Sequence, residues 1–481
     1  MNTQMSILFA FLAVSSALLV RLYIRRRSSF LRKLRAPESH TFLLGSYGDL
    51  IYQNEVGDCE FKWMRQYGSV WRSSGSFGQD HLMVADPKAL QYILHTSGYN
   101  FVKRPPVVKI MELMFGKGII WAHGETHQRQ RKVMTPAFFA PQLKTFLSLF
   151  QNTASKLVQI WKEELITTGP SDESIVNVAP WLSRTTLDVI GEVGFGFQFD
   201  SLYNVKTPLR DQMENFFVDS VLYPPRWDML FKSIWRYIPG PLLDLVRYLP
   251  TRQYKRFRRF LKFMRKFSED MIEKSMIKGD GKDIMSVLLR ANASENPKSR
   301  LTGNEVVDQT ATLLFAGHDT TANSLTWYLW EIAKHPESQE RIRAEIAAIR
   351  AKKGGEELSA SDLDGMTFTQ ATLKEAMRLH PIVYFLPREA GRDEVIPLAF
   401  PITTESGEQI SSIPVRKGTP IDIAIGVYNR LPGVWGLDAD DWNPERFLNF
   451  DKSNQTPLGV FANLRLNFCE CFCCFLFTSP S

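Results

Sequence analysis

The longest helical pattern in the chain runs from Glu305 to His335, where apolar residues recur at helical spacing for about thirty residues. At 1.5 Å per residue, such a helix is roughly 45 Å long. Thr302 followed by Glu305 has the form of a capping box, and His335-Pro336 predicts where the helix ends. Because the segment is long and mostly apolar, we expect it to cross the middle of a large domain.

The centre of this helix is unexpectedly polar, with the order Ala-Gly-His-Asp-Thr-Thr at residues 316–321. Glycine costs about 1 kcal/mol against alanine inside a helix, and a buried aspartate costs more unless it has a partner. We expect the Thr320 hydroxyl to bond the carbonyl of Ala316 and to bend the helix there. The pattern therefore predicts a polar notch in an apolar wall. From these residues alone, a kink filled with satisfied polar groups explains the pattern equally well.

Other elements follow from shorter patterns. Alternation within residues 61–84 predicts a hairpin, and a helical run begins near Trp121 and ends at Pro136. Residues 252–267 alternate basic and apolar side chains at helical spacing. That spacing favours an amphipathic helix on the core, and a lid touching a bilayer is the alternative.

Two further motifs share the C-terminal half of the chain with the polar notch. They are Glu-Ala-Met-Arg at residues 375–378 and Pro-Glu-Arg-Phe at residues 444–447. Together with residues 316–321, and in this order and spacing, they resemble the cytochromes P-450, the haem-thiolate monooxygenases. The resemblance runs from the N-terminal segment to about Leu464. It implies a mainly α fold with small β-sheets and the insertion of one oxygen atom of O2 into an apolar organic substrate. It also implies haem as cofactor, with electrons from an NADPH-dependent reductase.

The resemblance assigns roles to individual residues. Asp319 and Thr320 would deliver protons at the catalytic centre, and Ala316 and Gly317 would leave room beside the cofactor. Glu375, Arg378 and Arg446 would form one buried structural cluster. The donors to the haem propionates would be His127, Arg131 and Arg388.

Spacing alone allows less specific interpretations of the same residues. Glu375 and Arg378 also suit an ordinary exposed helix pair. His127 and Arg131 lie four apart on one helical face, which a solvated basic surface explains as well. Arg129 and Lys132 are candidates for a landing site of an acidic reductase.

The N-terminal segment suggests attachment to a membrane. Residues 5–20 are apolar or small, and a cluster of arginines and one lysine follows within residues 21–35. A cleavable signal peptide is the alternative, but the first four residues carry no basic side chain. We therefore expect a single-pass anchor at residues 1–24, in the endoplasmic reticulum membrane with the catalytic body in the cytosol. A basic, proline-containing hinge at 25–48 and a monooxygenase domain at 49–464 would follow.

Net charge and cysteine usage narrow the remaining possibilities. The 58 Lys and Arg against 51 Asp and Glu give only +7, which suits a membrane surface or an acidic partner better than nucleic acid. Four of the five cysteines are Cys469, Cys471, Cys473 and Cys474, which match neither a disulfide framework nor a zinc pattern.

The segment after Leu464 departs from the family's haem-ligand loop. No glycine follows Gly459, and the segment has no arginine at the place where the family's loop has one before the ligand cysteine. No axial cysteine is therefore identifiable. We interpret residues 465–481 as an aberrant cysteine-rich tail that leaves the domain incomplete. The chain as given is then expected not to produce the spectrum of a thiolate-ligated haem. A non-catalytic, membrane-anchored remnant or binding module without haem is the second functional hypothesis.

Overall fold

The computed structural model describes residues 29–166, 175–203, 207–213, 216, 224–278, 281–354 and 356–448. The predicted anchor and the cysteine-rich tail both lie outside these residues. Contacts between Cα atoms divide the chain into two compact units. Unit 1 comprises Met1–Arg104, Tyr223–Ile234 and Phe385–Leu431, and unit 2 comprises Pro105–Leu222, Trp235–Tyr384 and Pro432–Ser481.

Unit 1 contains a five-stranded sheet of order β1-β2-β7-β4-β3 and a separate pair, β5-β6. Only the contact between β2 and β7 is parallel. The strands are β1 (Val70–Ser74), β2 (Asp80–Val84), β3 (Phe101–Lys103), β4 (Phe385–Ala390), β5 (Glu394–Thr403), β6 (Gln409–Val415) and β7 (Pro420–Ala424). The hairpin predicted within residues 61–84 is confirmed as β1 and β2. All five residues of β2 are buried, so this strand lies inside the unit.

Short helices surround the sheets of unit 1. They are α1 (Tyr47–Ile51), α2 (Asp58–Tyr67), α3 (Pro87–Gln91), α10 (Arg226–Ile234) and α18 (Ile425–Tyr428). Part of the predicted hinge belongs to this unit. Its residues Leu31 and Leu34 are buried. Leu34 forms a β-bridge with Thr404, and Arg72 donates its backbone N–H to the Arg35 carbonyl.

Unit 2 is helical throughout its described residues. Its longer helices are α4 (Pro105–Phe115), α5 (Gly124–Met134), α7 (Leu147–Ile160), α8 (Val178–Phe195), α12 (Arg252–Lys278), α13 (Ile284–Ser294), α14 (Gly303–Lys334), α15 (Pro336–Lys353) and α17 (Thr367–Leu379). Its shorter helices are α6 (Ala140–Lys144), α9 (Pro208–Met213), α11 (Gly240–Leu243), α16 (Ala360–Asp364) and α19 (Pro432–Trp435). The expected fold class, mainly α with small β-sheets, is confirmed.

The predicted central helix is α14. Its capping box is complete: the Thr302 hydroxyl accepts from the Glu305 N–H, and the Glu305 carboxylate accepts from the Thr302 N–H. The helix ends at Lys334, and His335 is its C-cap. Most side chains between Val306 and Ser324 are buried, as expected for a helix that crosses an interior. Within the part of the chain that the structure describes, no helix has the length and hydropathy of a membrane span.

The amphipathic pattern of residues 252–267 is confirmed as the first part of α12. Tyr254, Phe257, Phe260 and Met264 are all buried, and they follow one another at three- and four-residue spacing. Phe260 stacks on Phe216 with ring centroids 4.1 Å apart. The apolar face of α12 therefore packs on the core, as the spacing favoured.

The predicted cluster of Glu375, Arg378 and Arg446 is also confirmed. Glu375 and Arg378 are fully buried, and the guanidinium donates to both carboxylate oxygens at 2.7 and 2.8 Å. Arg446, on the 3-10 turn Pro444–Phe447, donates to the same carboxylate at 3.2 Å. Arg378 also donates to the carbonyls of Ala439 and Asp441. One buried carboxylate thus joins α17 to the chain segment before the 3-10 turn.

Replacing Arg378 with alanine is expected to reduce the free energy of unfolding by about 3–5 kcal/mol, because Glu375 would lose most of its compensation in a buried place. The matched control is Arg341→Ala, since the ion pair of Arg341 with Glu445 is about half exposed on both sides. Removing such a surface pair costs about 0–1 kcal/mol. Urea unfolding of both variants measures the difference, and equal losses would contradict the structural role of the cluster.

Candidate active site

The notch predicted in α14 is present. The Thr320 hydroxyl donates to the carbonyl of Ala316 at 2.6 Å, as expected. Ala316, Gly317 and Thr320 are buried, whereas Phe315 and Asp319 are only half-buried. Phe315 and Asp319 lie one turn apart on the same face of α14, so this face is open beside two small residues. The bend expected at this point remains a prediction.

Asp319 is linked to Asn323, one turn further along α14. The Asn323 amide donates to the Asp319 carbonyl at 2.7 Å and lies 3.4 Å from a carboxylate oxygen. Burial raises the pKa of Asp319, and the contact with Asn323 partly opposes that increase. A raised pKa brings a carboxyl group closer to the range in which it exchanges protons at neutral pH. Sequence analysis missed Asn323, although its four-residue spacing from Asp319 was a usable signal.

His318 points to a different part of the interior from Asp319. Its Nε2 lies 2.9 Å from the hydroxyl of Ser183 on α8, and its side chain is buried. Burial lowers the pKa of His318 to about 4, so the imidazole is neutral at physiological pH. Successive residues of a helix are rotated by about 100°, which separates His318 from the face of Asp319. We conclude that His318 connects α14 to α8 and takes no part in proton transfer at the notch.

The first turns of α14 hold the loop between α4 and α5. The Asp308 carboxylate accepts the Lys117 N–H at 2.7 Å, and Gln309 accepts the Ile119 N–H at 3.0 Å. Gly116 has φ +77°, and a Cβ there would lie about 2.2 Å from the Asp308 carboxylate. Only glycine fits such a close approach of backbone to carboxylate. The loop that leads into α5 is therefore fixed to α14.

Helix α5 carries two of the predicted cofactor donors. His127 and Arg131 lie four residues apart on α5, so they share a helical face, as predicted. Whether they bind a cofactor remains a prediction. Gln130, on the neighbouring face, is buried and joins α5 to α14 through Gln309 at 2.9 Å and Glu305 at 3.1 Å.

The landing site expected at Arg129 and Lys132 remains a prediction, and both side chains have acidic partners in unit 2. Arg129 binds both carboxylate oxygens of Glu305, and Lys132 lies 3.0 Å from Glu295. Although burial opposes it, the contact with Arg129 helps to lower the pKa of Glu305 to about 2. The Arg129 charge is thus compensated by Glu305 inside unit 2.

Unit 1 holds a separate group of half-buried cations. The register of β3 and β4 places Lys103 opposite Arg388, and the Arg104 Nε–H donates to the Arg388 carbonyl at 3.0 Å. Burial, and then the neighbouring Arg388, lower the pKa of Lys103 to about 7. Burial and Arg104 likewise lower the pKa of Arg388 to about 10. No carboxylate of the described residues pairs with Arg388, whose guanidinium bonds the Pro387 carbonyl. Half-buried like charges of this kind favour an anionic ligand.

Arg104 is held in place by a buried acid. Its guanidinium lies 2.7 Å from Asp422 on β7, and His81 on β2 approaches the other oxygen of that carboxylate at 3.1 Å. Despite the opposing effect of burial, Arg104 and His81 lower the pKa of Asp422 to about 2. Sequence analysis missed Arg104. The adjacent cations at 103 and 104, directly before two prolines, were the available signal.

Metal ligands are scarce in the described part of the chain. Cys59 is its free cysteine, and no group of three or more His, Cys, Asp or Glu side chains there is arranged to hold a metal ion. The four clustered cysteines, from Cys469 to Cys474, lie outside the described residues.

The pKa of His318 predicts a loss of stability in acid. The unfolded chain binds a proton at this residue below about pH 6.5, but the folded chain binds it only below about pH 4. Neutral His318 therefore makes its full contribution to stability above pH 6.5. As the pH falls towards 4, this contribution is lost, and the free energy of unfolding falls by roughly 3 kcal/mol. In the His318→Gln variant, the midpoint of urea unfolding should change less between pH 6.5 and 4.5 than in the wild-type protein. The exposed control, His123→Gln, should keep the wild-type slope. An unchanged slope in His318→Gln would contradict this assignment.

Comparison with known proteins identifies the family of the chain. The family model described as Cytochrome P450 matches residues 36–461. Cytochrome P450 monooxygenase claU of Ampulloclitocybe clavipes is 32% identical over 437 residues, which cover 89% of this chain and 78% of that protein. Cytochrome P450 monooxygenase 212 of Postia placenta is 31% identical over 485 residues, with 95% and 86% covered. The chain therefore belongs to the cytochrome P450 family of monooxygenases, whose cofactor is haem iron.

Proposed function

We propose that this protein inserts one oxygen atom of O2 into an apolar organic substrate, using electrons from an NADPH-dependent reductase. The observation that carries the proposal is the open face of α14, where Asp319 and Thr320 adjoin the small residues Ala316 and Gly317. The overall reaction takes substrate, O2, two electrons and two protons to hydroxylated product and water. Asp319 and Thr320 are the residues that we assign to delivery of the two protons.

The described residues fit haem in two respects. Haem carries two carboxylates, and the half-buried Arg388 of unit 1, with which no carboxylate of the described residues pairs, suits an anionic group. In unit 2, we assign His127 and Arg131 as donors to haem carboxylates from the family resemblance, and the small residues Ala316 and Gly317 suit a flat ring. When bound, haem supplies the iron at which dioxygen is activated.

The side chains at the notch suit proton delivery from solvent. The pKa of Asp319 is raised by burial, and its partner Asn323 is exposed. We infer that Asp319 takes protons at the Asn323 end and passes them towards the Thr320 hydroxyl, which orients the donor at the reacting oxygen. Carbonyl bonding by Thr320 leaves its oxygen lone pairs available as acceptors.

Aromatic residues beside the notch support an apolar substrate. Phe115 at the end of α4 lies 4.7 Å from Phe315, between ring centroids, and 6.2 Å from Phe260 on α12. Phe315 is half-buried, so part of its ring is available for contact. We propose that Phe315, supported from behind by Phe115, forms part of an apolar wall of the substrate site.

A second candidate is a membrane-anchored binding module or remnant that performs no catalysis. It is favoured by the absence of glycine after Gly459, where the resemblance implies the tight turn of the ligand loop. The reduced, carbon-monoxide-bound spectrum separates the two. A thiolate-type Soret band that disappears when one of the tail cysteines is replaced supports the monooxygenase. The absence of such a band from the reduced chain under carbon monoxide favours the binding module.

Thr320→Ala and Asp319→Asn should each reduce product formed per NADPH consumed, with more oxygen released as hydrogen peroxide. General acid–base groups typically contribute a factor of about 10²–10⁴, and we expect the lower end of that range. Thr326→Ala is the matched control, because Thr326 makes the same bond to the carbonyl one turn earlier, at 2.8 Å. If the control lost product yield to the same extent, the effect would belong to helix stability and not to proton delivery.

We also propose that residues 1–24 anchor the chain in the endoplasmic reticulum membrane, with the body in the cytosol. The support is the apolar run followed by basic residues on one side only. Microsomes carrying the full chain should retain it after alkaline extraction, and external protease should digest the body. Protection of the body from external protease would show the opposite topology.

A further inference from the structure

Helices α1 and α2 of unit 1 meet at one buried carboxyl group, that of Glu60. Glu60 lies in the first turn of α2 and is fully buried. One of its carboxylate oxygens accepts from the Gln53 amide at 3.2 Å, and the other has no hydrogen-bond partner among the described residues. Polar groups inside proteins are nearly always hydrogen-bonded, so this oxygen is an exception.

The Gln53 side chain makes the contact between the two helices. Its nitrogen donates to the Leu50 carbonyl of α1 at 3.1 Å as well as to Glu60, and its oxygen accepts the Cys59 N–H at 3.0 Å. The Cys59 thiol lies 3.7 Å from the Asp49 carbonyl of α1. One amide side chain thus links the end of α1 to the first turn of α2, and Glu60 is one of its three partners.

No cation of the described residues compensates the charge of Glu60. Helix α2 packs against α1, β1 and α18. The titratable groups of these elements and their immediate neighbours are Arg35, Tyr47, Asp49, Glu55, Asp58, Cys59, Lys62, Arg65, Tyr67, Arg72, Tyr428 and Arg430. None of the cations among them pairs with Glu60, and the charge that acts on its carboxyl group is that of Asp58, which has the same sign. An ionised Glu60 is therefore a buried charge without a counter-ion, and such a charge is costly.

We propose that Glu60 and Gln53 form a pH-sensitive clasp between α1 and α2, which is closed while the carboxyl group is protonated and opens when it ionises. Opening allows water to reach the carboxylate and separates the Gln53 amide from the first turn of α2. Burial raises the pKa of Glu60 to about 7, so the change falls near neutral pH. The clasp lies within unit 1 and is independent of haem and of the proposed catalytic reaction.

Proton binding fixes the direction of the pH effect. In the open state, Glu60 binds a proton below about pH 4.5, whereas in the closed state it binds one below about pH 7. Between these values the closed state holds the additional proton, so a rise in pH weakens it. From pH 5.5 to 8, the equilibrium constant for opening should therefore increase roughly thirtyfold.

Amide hydrogen exchange of Cys59 in the full chain measures the opening, because its N–H is held by the Gln53 side chain. Glu60→Gln keeps the shape of the side chain but cannot ionise. Dividing the wild-type exchange rate by that of Glu60→Gln at each pH removes the intrinsic pH dependence of exchange. The ratio should increase roughly thirtyfold from pH 5.5 to 8. Glu55→Gln, which changes an exposed acid of the same loop, should keep the wild-type increase.

A comparison within the wild-type chain needs no variant. Exchange at Cys59 is divided by exchange at the amides of α17 in unit 2, and this ratio should increase over the same pH range. Thermal unfolding by circular dichroism at pH 5.5 checks that Glu60→Gln is folded. A ratio to Glu60→Gln that stays constant with pH would overturn the proposal. An equal increase at the amides of α17 would also overturn it, since the pH would then act on the whole protein and not on the clasp.

Discussion

Unit 2 is built around one constraint, the need to satisfy the polar side chains that α14 carries into an apolar interior. Asp308 and Gln309 are buried, and a buried carboxylate or amide without hydrogen bonds is costly. Their partners are backbone N–H groups of Lys117 and Ile119, so the loop before α5 must approach α14 closely. Glycine at 116 permits that approach. The position of α5, and hence of its candidate cofactor donors, follows from hydrogen bonds made about two turns before the notch.

Charged side chains inside this protein play two different roles. Glu375 is surrounded by guanidinium groups, and its charge is fully compensated by the protein itself. Such a cluster specifies how segments far apart in the sequence come together. Burial and Arg104 instead lower the pKa of Arg388, and no carboxylate of the described residues pairs with its guanidinium. An anionic ligand would compensate the charge of Arg388, and this is why we propose Arg388 for cofactor binding and assign the cluster around Glu375 to structure.

How far the sequence predicts the structure depends on the range of each interaction. The capping box of α14, the β1–β2 hairpin and the amphipathic face of α12 were all predictable, because their determinants lie within a few residues of one another. The cluster around Glu375 was predictable only through the resemblance. Neither route identified the contact of His81 with Asp422, which joins residues 341 positions apart. The partner of Arg129 was missed for the same reason, since it lies 176 residues away on α14.

The bond from Thr320 to the preceding turn does not by itself mark a catalytic position. Thr310, Thr312 and Thr326 on the same helix also donate to the carbonyl four residues earlier, at 3.3, 3.1 and 2.8 Å. Thr310 and Thr312 are fully buried. Their hydroxyl groups bond backbone carbonyls simply because a hydroxyl in a core needs a hydrogen-bond partner. What distinguishes Thr320 is its neighbourhood, in which glycine lies one turn earlier and a half-buried carboxyl group with a raised pKa lies beside it. We therefore expect function at this helix to depend on which hydroxyl lies next to small residues and a proton source, and not on the hydrogen bond that all four threonines share.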